Sequence, residues 1–342
     1  MKIVISYLSA LPLAWRQLVI RTFLVMINLP LIARIYHRLY YRVIKEKAPH
    51  ILNEIDIEPY NLCNLRCIMC PYPKMTRGKV QMSMDLFRKI IDDAAANRIK
   101  VVGFSNYNEP LLDTLLFDRI RYAKSKGLKA HFFSNGTLLT EDRIDALLDS
   151  GLDLIECSFD GATKETYEGI RIRADFEETQ NNIVQLIEER NKRGLVKPSV
   201  TVFFVAQKNN YHEAERFKQF WKQHADNVNY VVVDSRKTEE LLPDELSSKK
   251  IKLKSLYPCI LLFQKLTVLS NGKAALCCFD YDGETILGDL NKQTINEIWN
   301  SDEYREIREL HLNGQGDEVT LCQDIHCRAL YRDSAYGWWR YG

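Results

Sequence analysis

Three cysteines stand close together in the run Cys63-Asn64-Leu65-Arg66-Cys67-Ile68-Met69-Cys70. Three thiolates are one short of a closed tetrahedral zinc site. They suffice for three irons of a four-iron cluster, whose fourth iron keeps an open position for a ligand. Pro71 follows at once and discourages a regular helix, so the thiolates are expected on a loop. A redox dithiol or three core cysteines are the competing readings.

A second set, Cys259, Cys277, Cys278, Cys322 and Cys327, lies in the last quarter of the chain. Neighbouring residues of a strand point to opposite faces, so only one of Cys277 and Cys278 can easily be a ligand. A structural zinc held by four thiolates competes with an iron-sulfur cluster here. Nine cysteines in clusters suggest metal ligation, because disulfide frameworks belong mainly to small secreted domains and this chain has 342 residues. Cys157, inside an apolar run, reads as core.

The elements that must position these residues show in the hydrophobic pattern. From residue 52 to 233, short apolar runs alternate with amphipathic segments, as in repeated βα units around a parallel sheet. Strands are predicted near 53–58, 101–105, 129–134, 154–159, 199–205 and 229–233. Helices are predicted over 83–97, with Ser83 as N-cap, 113–126, 140–150 and 176–193, the last three ended by Gly127, Gly151 and Gly194. Six such units fall short of an eight-fold barrel and suffice for an open partial one. The charged stretch 236–254 reads as a linker. Ser270-Asn271-Gly272 between 266–269 and 273–277 reads as a hairpin turn, followed by one helix over 294–310.

Cys-x3-Cys-x2-Cys after the first strand of a βα chain resembles the radical S-adenosylmethionine superfamily. The resemblance implies an α/β fold with a partial (β/α)6 barrel. It also implies a four-iron cluster that binds S-adenosylmethionine through its open iron, and a 5'-deoxyadenosyl radical that abstracts a hydrogen atom from the substrate. Met69 stands where the family often has an aromatic residue. Asn106-Tyr107-Asn108-Glu109-Pro110 takes the place of the family's Gly-Gly-Glu-Pro segment, with Asn108 and Glu109 at the cofactor's amino group. Ser134-Asn135-Gly136-Thr137 and Ser158-Phe159-Asp160-Gly161 are similar to segments near its carboxylate and ribose. The segment 167–176 carries Arg171 at the position of the arginine that pairs with that carboxylate. Ser134, Ser158 and Asp160 are thereby implied as cofactor contacts, at the strand ends where barrel sites are built.

The C-terminal cysteines, with Asn271-Gly272-Lys273, Gly288-Asp289-Leu290 and Trp299, resemble the twitch extension, a shortened relative of the SPASM domain that holds one auxiliary four-iron cluster. Cys259, Cys277, Cys322 and Cys327 are the ligands this implies. The expected organisation is a basic amphipathic helical segment at 1–50, the barrel at 51–236, a linker at 237–258, a small α+β cluster-binding domain at 259–330 and an aromatic tail at 331–342.

The net charge of +2 points to no particular partner, and nucleic acid is not expected. Before Glu46 the chain has seven Lys or Arg and no acid, with Ile35, Leu39 and Val43 recurring beside Arg34, Arg38 and Arg42. That pattern fits peripheral contact with the inner face of a membrane from the cytoplasm, or a helix packed on the protein's own core. The expected function is oxidation of an unactivated C–H position in a small molecule, sugar or lipid-linked saccharide. Peptide maturation, a redox-neutral epimerisation and an iron-sulfur electron carrier are the alternatives. An external reductant of the flavodoxin or ferredoxin type is implied, and Asp234 and Arg236 are the candidate catalytic residues, for the proton of an alcohol.

Overall fold

The structure, a computed structural model, describes residues 52–233, 241, 259, 261–313 and 315–323. Six parallel strands alternate with helices: β1 (Glu54–Ile57), α1 (Met84–Ala96), β2 (Val101–Gly103), α2 (Leu116–Ser125), β3 (Lys129–Ser134), α3 (Glu141–Asp149), β4 (Leu154–Ser158), α4 (Lys164–Ile170), α5 (Phe176–Lys192), β5 (Ser199–Ala206), α6 (Ala214–Trp221) and β6 (Asn227–Val232). After them come α7 (Leu261–Gln264), β7 (Lys265–Val268), β8 (Lys273–Ala275), β9 (Ile286–Asp289), α8 (Ile295–Trp299) and α9 (Asp302–Leu312). The strands form one nine-stranded sheet in the order β6-β5-β4-β3-β2-β1-β7-β8-β9.

Strand alternation sorts side chains onto two faces. Ile55, Ile57, Val102, Phe132, Ile155, Val200, Val202 and Phe204 are fully buried and belong to the main core, which includes Phe87, Ile90 and Ile91 of α1 and Ile183 and Leu186 of α5. Ser83 caps α1 as its position predicts, its side chain accepting from Leu86 N–H. The other face of β1 carries Glu54, Asp56 and Glu58, all buried.

Three sequence expectations change. The second helix begins at Leu116 instead of residue 113, because Pro110–Leu112 forms a 3-10 turn and the Asp113 carboxylate accepts from Leu115 N–H and pairs with buried Arg119. The single helix expected over 294–310 is two, since Ser301 starts a fresh cap by accepting from Tyr304 N–H. The C-terminal strands are also continuous with the barrel sheet, β7 pairing parallel with β1 from Glu54↔Lys265 to Ile57↔Val268. The hairpin forms as expected, with Gly272 at φ +82. The segments expected at 1–50 and 331–342, and all of the 237–258 linker except residue 241, lie outside the described residues.

Candidate functional site

The loop after β1 carries Cys63, Cys67 and Cys70, all half-buried and free. Two main-chain bonds tie it to the end of α4, from Arg66 N to Ile172 O at 3.1 Å and from Ile68 N to Ile170 O at 3.0 Å. Two side-chain bonds tie it to the end of β3, from Asn64 Nδ2 to Thr137 Oγ1 at 2.8 Å and from Asn135 Nδ2 to Asn64 Oδ1 at 2.9 Å. Thr137 lies in the 134–137 segment named from sequence, whereas Asn64 was not singled out, because an asparagine between two cysteines carries no distinguishing signal. Burial pushes the thiols up, Cys63 to about 12 and Cys70 to about 11. A metal that binds them must therefore displace their protons.

Beside the loop, Arg171 donates from Nη2 to Asp160 at 2.6 Å and lies 3.9 Å from Cys67 Sγ through Nη1. Burial works against the guanidinium charge, but Asp160 and Cys67 outweigh it and raise its pKa. Its Nε is buried without a partner. A cation with an unused donor next to three thiols fits the carboxylate of S-adenosylmethionine. Asp160 itself is spent on Arg171 and on Val205 N–H at 2.7 Å, so in this arrangement it positions the arginine.

Glu109 is buried and accepts from Leu111 N–H, Ser134 Oγ and Asn135 N–H at 3.1, 2.9 and 2.7 Å. Asn108 closes its own turn, accepting from Asn106 N–H and donating to Phe104 O. Ser158 is half-buried at the end of β4, and Met69 is half-buried in the cysteine loop. The structure thus brings Glu109 and Ser134 into one network and Asp160 and Arg171 into another, both around the cysteine loop.

On the sheet face opposite Ile55 and Ile57 lies a polar group that the sequence reading missed. His131 on β3 bonds Glu54 of β1 through Nε2 at 3.1 Å and Glu156 of β4 through Nδ1 at 3.2 Å. Lys265 of β7 reaches Glu54 at 2.7 Å and Asp56 at 2.8 Å. Gly103 on β2 makes room, since a Cβ there would lie 2.2 Å from Asp56 Oδ1 and 3.0 Å from His131 Nε2. The signal was present in the alternation Glu54-Ile55-Asp56-Ile57-Glu58, which puts three acids on one face of a buried strand.

Burial opposes the His131 charge, but Glu156 and Glu54 outweigh it and push its pKa up to about 9. Glu54 feels burial first, yet Lys265 and His131 hold it below the usual carboxylate range, while burial raises Asp56. The stability that protonated His131 contributes is fully present below its unfolded value near 6.5 and is lost as pH rises through about 9. Urea denaturation should show parent stability falling by about 3 kcal/mol between pH 6.5 and 10, with His131→Gln lacking that fall. Parallel pH profiles in parent and variant would contradict the charged histidine.

The second cysteine set surrounds the start of β7. Cys259 precedes β7 through α7, and Cys277 and Cys278 follow β8, which runs antiparallel, so all three lie at the same end of the hairpin. Burial pushes the Cys259 thiol up to about 12, aided by Cys322 and by Cys278. Lys265 lies in the field of Cys278, whereas Cys277 Sγ accepts from Phe279 N–H at 3.4 Å. The loop beyond runs back towards the first cysteines: Arg77 Nε donates to Tyr281 O at 2.7 Å, its guanidinium pairs with Glu58, and Asp282 accepts from Thr76 N–H. Cys259, Cys322 and one of the adjacent pair Cys277 and Cys278 are donors that fit a thiolate-held cluster. Cys327, Asp234 and Arg236 lie outside the described residues.

The Radical SAM superfamily matches residues 57–220, and the SPASM iron-sulfur cluster-binding domain matches residues 259–328. The chain is 31% identical over 169 residues to the tungsten-containing aldehyde ferredoxin oxidoreductase cofactor-modifying protein of Pyrococcus furiosus, covering 48% of this chain and 46% of that protein. The chain therefore spans about half the length of that relative. It is 20% identical over 294 residues to the S-adenosyl-L-methionine-dependent 2-deoxy-scyllo-inosamine dehydrogenase of Niallia circulans, covering 84% of this chain and 97% of that one. The crystal structure of Streptococcus suis SuiB bound to S-adenosylmethionine has the same fold, with a TM-score of 0.63 at 15% identity over 79% of this chain and 71% of that one. With the cysteine loop placed after β1, residues 57–220 form a radical S-adenosylmethionine superfamily domain and residues 259–328 match a SPASM-type iron-sulfur cluster-binding domain.

Proposed function

We propose that the protein dehydrogenates an alcohol position of a small polar molecule, a sugar or a lipid-linked saccharide. The observation that carries this is the acid-base group of Glu54, Asp56, His131, Glu156 and Lys265. It lines the sheet between the strand end bearing Cys63, Cys67 and Cys70 and the end bearing Cys259 and Cys278. The likeness to an inosamine dehydrogenase over 84% of this chain supports the same reading.

Cys63, Cys67 and Cys70 would hold the first cluster, with Arg171 and Glu109 available to the carboxylate and amino groups of S-adenosylmethionine; the bound groups would supply the hydrogen-abstracting radical chemistry at the first site and one-electron acceptance at the auxiliary one. Dehydrogenation removes a carbon-bound hydrogen atom, the hydroxyl proton and one further electron. Asp56 is the proton acceptor: Oδ2 is held by Lys265 at 2.8 Å, Oδ1 has no hydrogen-bond donor among the described residues, and burial raises its pKa. Asp234 and Arg236 are the second candidates, just beyond β6. An external flavodoxin- or ferredoxin-type protein supplies the initiating electron.

The test is isotope transfer. Deuterium on a carbinol carbon of cyclitol or saccharide substrates should appear in 5'-deoxyadenosine, and Asp56→Asn should reduce ketone formation at least about 100-fold. Transfer from peptide substrates alone would replace this reading with peptide maturation. Among the described residues no helix is long and apolar enough to cross a membrane. Residues 1–45 are proposed to give salt-sensitive, peripheral binding to anionic vesicles in flotation, and absence of binding at low salt would refute that contact.

A further inference from the structure

Helix α9 and its approach carry an unusual set of buried donors. The Trp299 Nε1, Tyr304 hydroxyl, Arg308 Nη2 and His311 Nε2 are all buried without a hydrogen-bond partner. They fall within 13 residues and make up four of the ten such atoms among the described residues. Buried donors are normally paired, so their concentration in one place calls for an acceptor.

Each can only donate from the atom left unpaired, apart from the tyrosine hydroxyl, which can do either. The His311 tautomer follows from geometry: Nδ1 accepts from Cys259 N–H at 3.4 Å, which leaves the proton on Nε2. Arg308 donates from Nε to Leu262 O at 2.8 Å and from Nη1 to Trp299 O at 2.7 Å. Its guanidinium lies 3.9 Å from the Trp299 ring centre and 4.0 Å from that of Tyr304. No carboxylate pairs with it among the described residues, although it is buried. A buried, unneutralised cation among unfilled donors describes a site for an anion.

The position identifies the anion. Tyr304 lies in the electrostatic field of Cys277 and Cys259, and His311 is bonded to the main chain of Cys259. Four thiolates around a cluster make a dianionic centre with many sulfur acceptors. Resting on the assignment of the auxiliary cluster to this domain, we infer that Tyr304, Arg308 and His311, with Trp299, form a donor nest around that cluster and raise its reduction potential. Positive charge and hydrogen bonds to sulfur stabilise the reduced, more anionic form, which makes the centre a better electron acceptor. These residues position and tune, and none of them touches the substrate.

The test is an EPR-monitored redox titration of the anaerobically reconstituted full chain, with the cluster at Cys63, Cys67 and Cys70 as internal reference. Arg308→Met should lower the reduced-to-oxidised ratio of the auxiliary cluster about tenfold at fixed poise, equivalent to a 59 mV fall in midpoint. Tyr304→Phe removes only a hydroxyl and should lower that ratio about threefold, so it keeps the test intact if Arg308→Met fails to fold. The reference cluster should be unmoved. Unchanged midpoints in folded, fully loaded variants would overturn the inference while leaving the cluster assignment standing. A parent that holds a single iron-sulfur cluster and a stoichiometric zinc would overturn both.

Discussion

Replacing Cys63, Cys67 and Cys70 together with alanine will halve the iron content of the anaerobically reconstituted protein, from about eight atoms to about four, and abolish 5'-deoxyadenosine formation. The loop does not depend on the metal for its shape alone. Its main chain is tied to Ile170 and Ile172 and its Asn64 to Asn135 and Thr137. The triple variant should therefore remain folded, with the loss confined to the site. Removing three half-buried thiols whose protons are held tightly costs the apo protein little, because they have no charge to leave unpaired. The measurement is iron and sulfide analysis beside a turnover assay with dithionite and S-adenosylmethionine. A triple variant that retained the parent's iron would remove these cysteines from the ligand set.

The second large effect concerns the auxiliary centre. A Cys259→Ala/Cys277→Ala variant is expected to cleave S-adenosylmethionine at the first cluster yet fail to complete oxidation. The ratio of oxidised product to 5'-deoxyadenosine should then fall at least about tenfold, as the electron left on the substrate has no acceptor. Because Cys278 is the neighbour that influences Cys259 and Lys265, the single variants Cys277→Ala and Cys278→Ala should be compared directly. Whichever of the two loses the cluster removes the ligand. Metal binding and folding of the small module are coupled, so soluble expression and a cooperative melt come first. An unchanged product ratio in a folded variant lacking the second cluster would instead favour a redox-neutral reaction such as epimerisation.

Much of the frame was legible in the residues. The six strands appear within a few residues of the predicted positions, Ser83 caps the first helix, and the Ser270-Asn271-Gly272 hairpin forms with Gly272 at positive φ. Such features are local, encoded by periodicity and turn chemistry. The misses are non-local. Asp113 could not be read as a partner for Arg119 from sequence, nor Ser301 as the cap that divides a charged helical run, since both depend on which competing bond wins in three dimensions.

The acid-base group was missed for a related reason. Glu54, Asp56, His131, Glu156 and Lys265 come from four strands, and only the strand order β4-β3-β2-β1-β7 and the missing side chain at Gly103 bring them together. The alternating acids of β1 were visible, but a lone histidine and a lone lysine on other strands carried no sign of converging on them. The donors on α9 were equally hidden, because a tyrosine, an arginine and a histidine at helical spacing read as an ordinary solvated face until burial shows otherwise.

This chain is expected to cleave S-adenosylmethionine reductively at the cluster that Cys63, Cys67 and Cys70 would hold. The most direct measurement is chromatographic quantitation of 5'-deoxyadenosine from the iron-loaded, dithionite-reduced parent, with unreduced parent and the triple variant as controls. 5'-Deoxyadenosine and methionine are expected in equal amounts from the reduced parent alone. A parent with two reduced four-iron clusters that releases no 5'-deoxyadenosine in the presence of S-adenosylmethionine would contradict it, and would leave an iron-sulfur electron carrier as the reading of the fold.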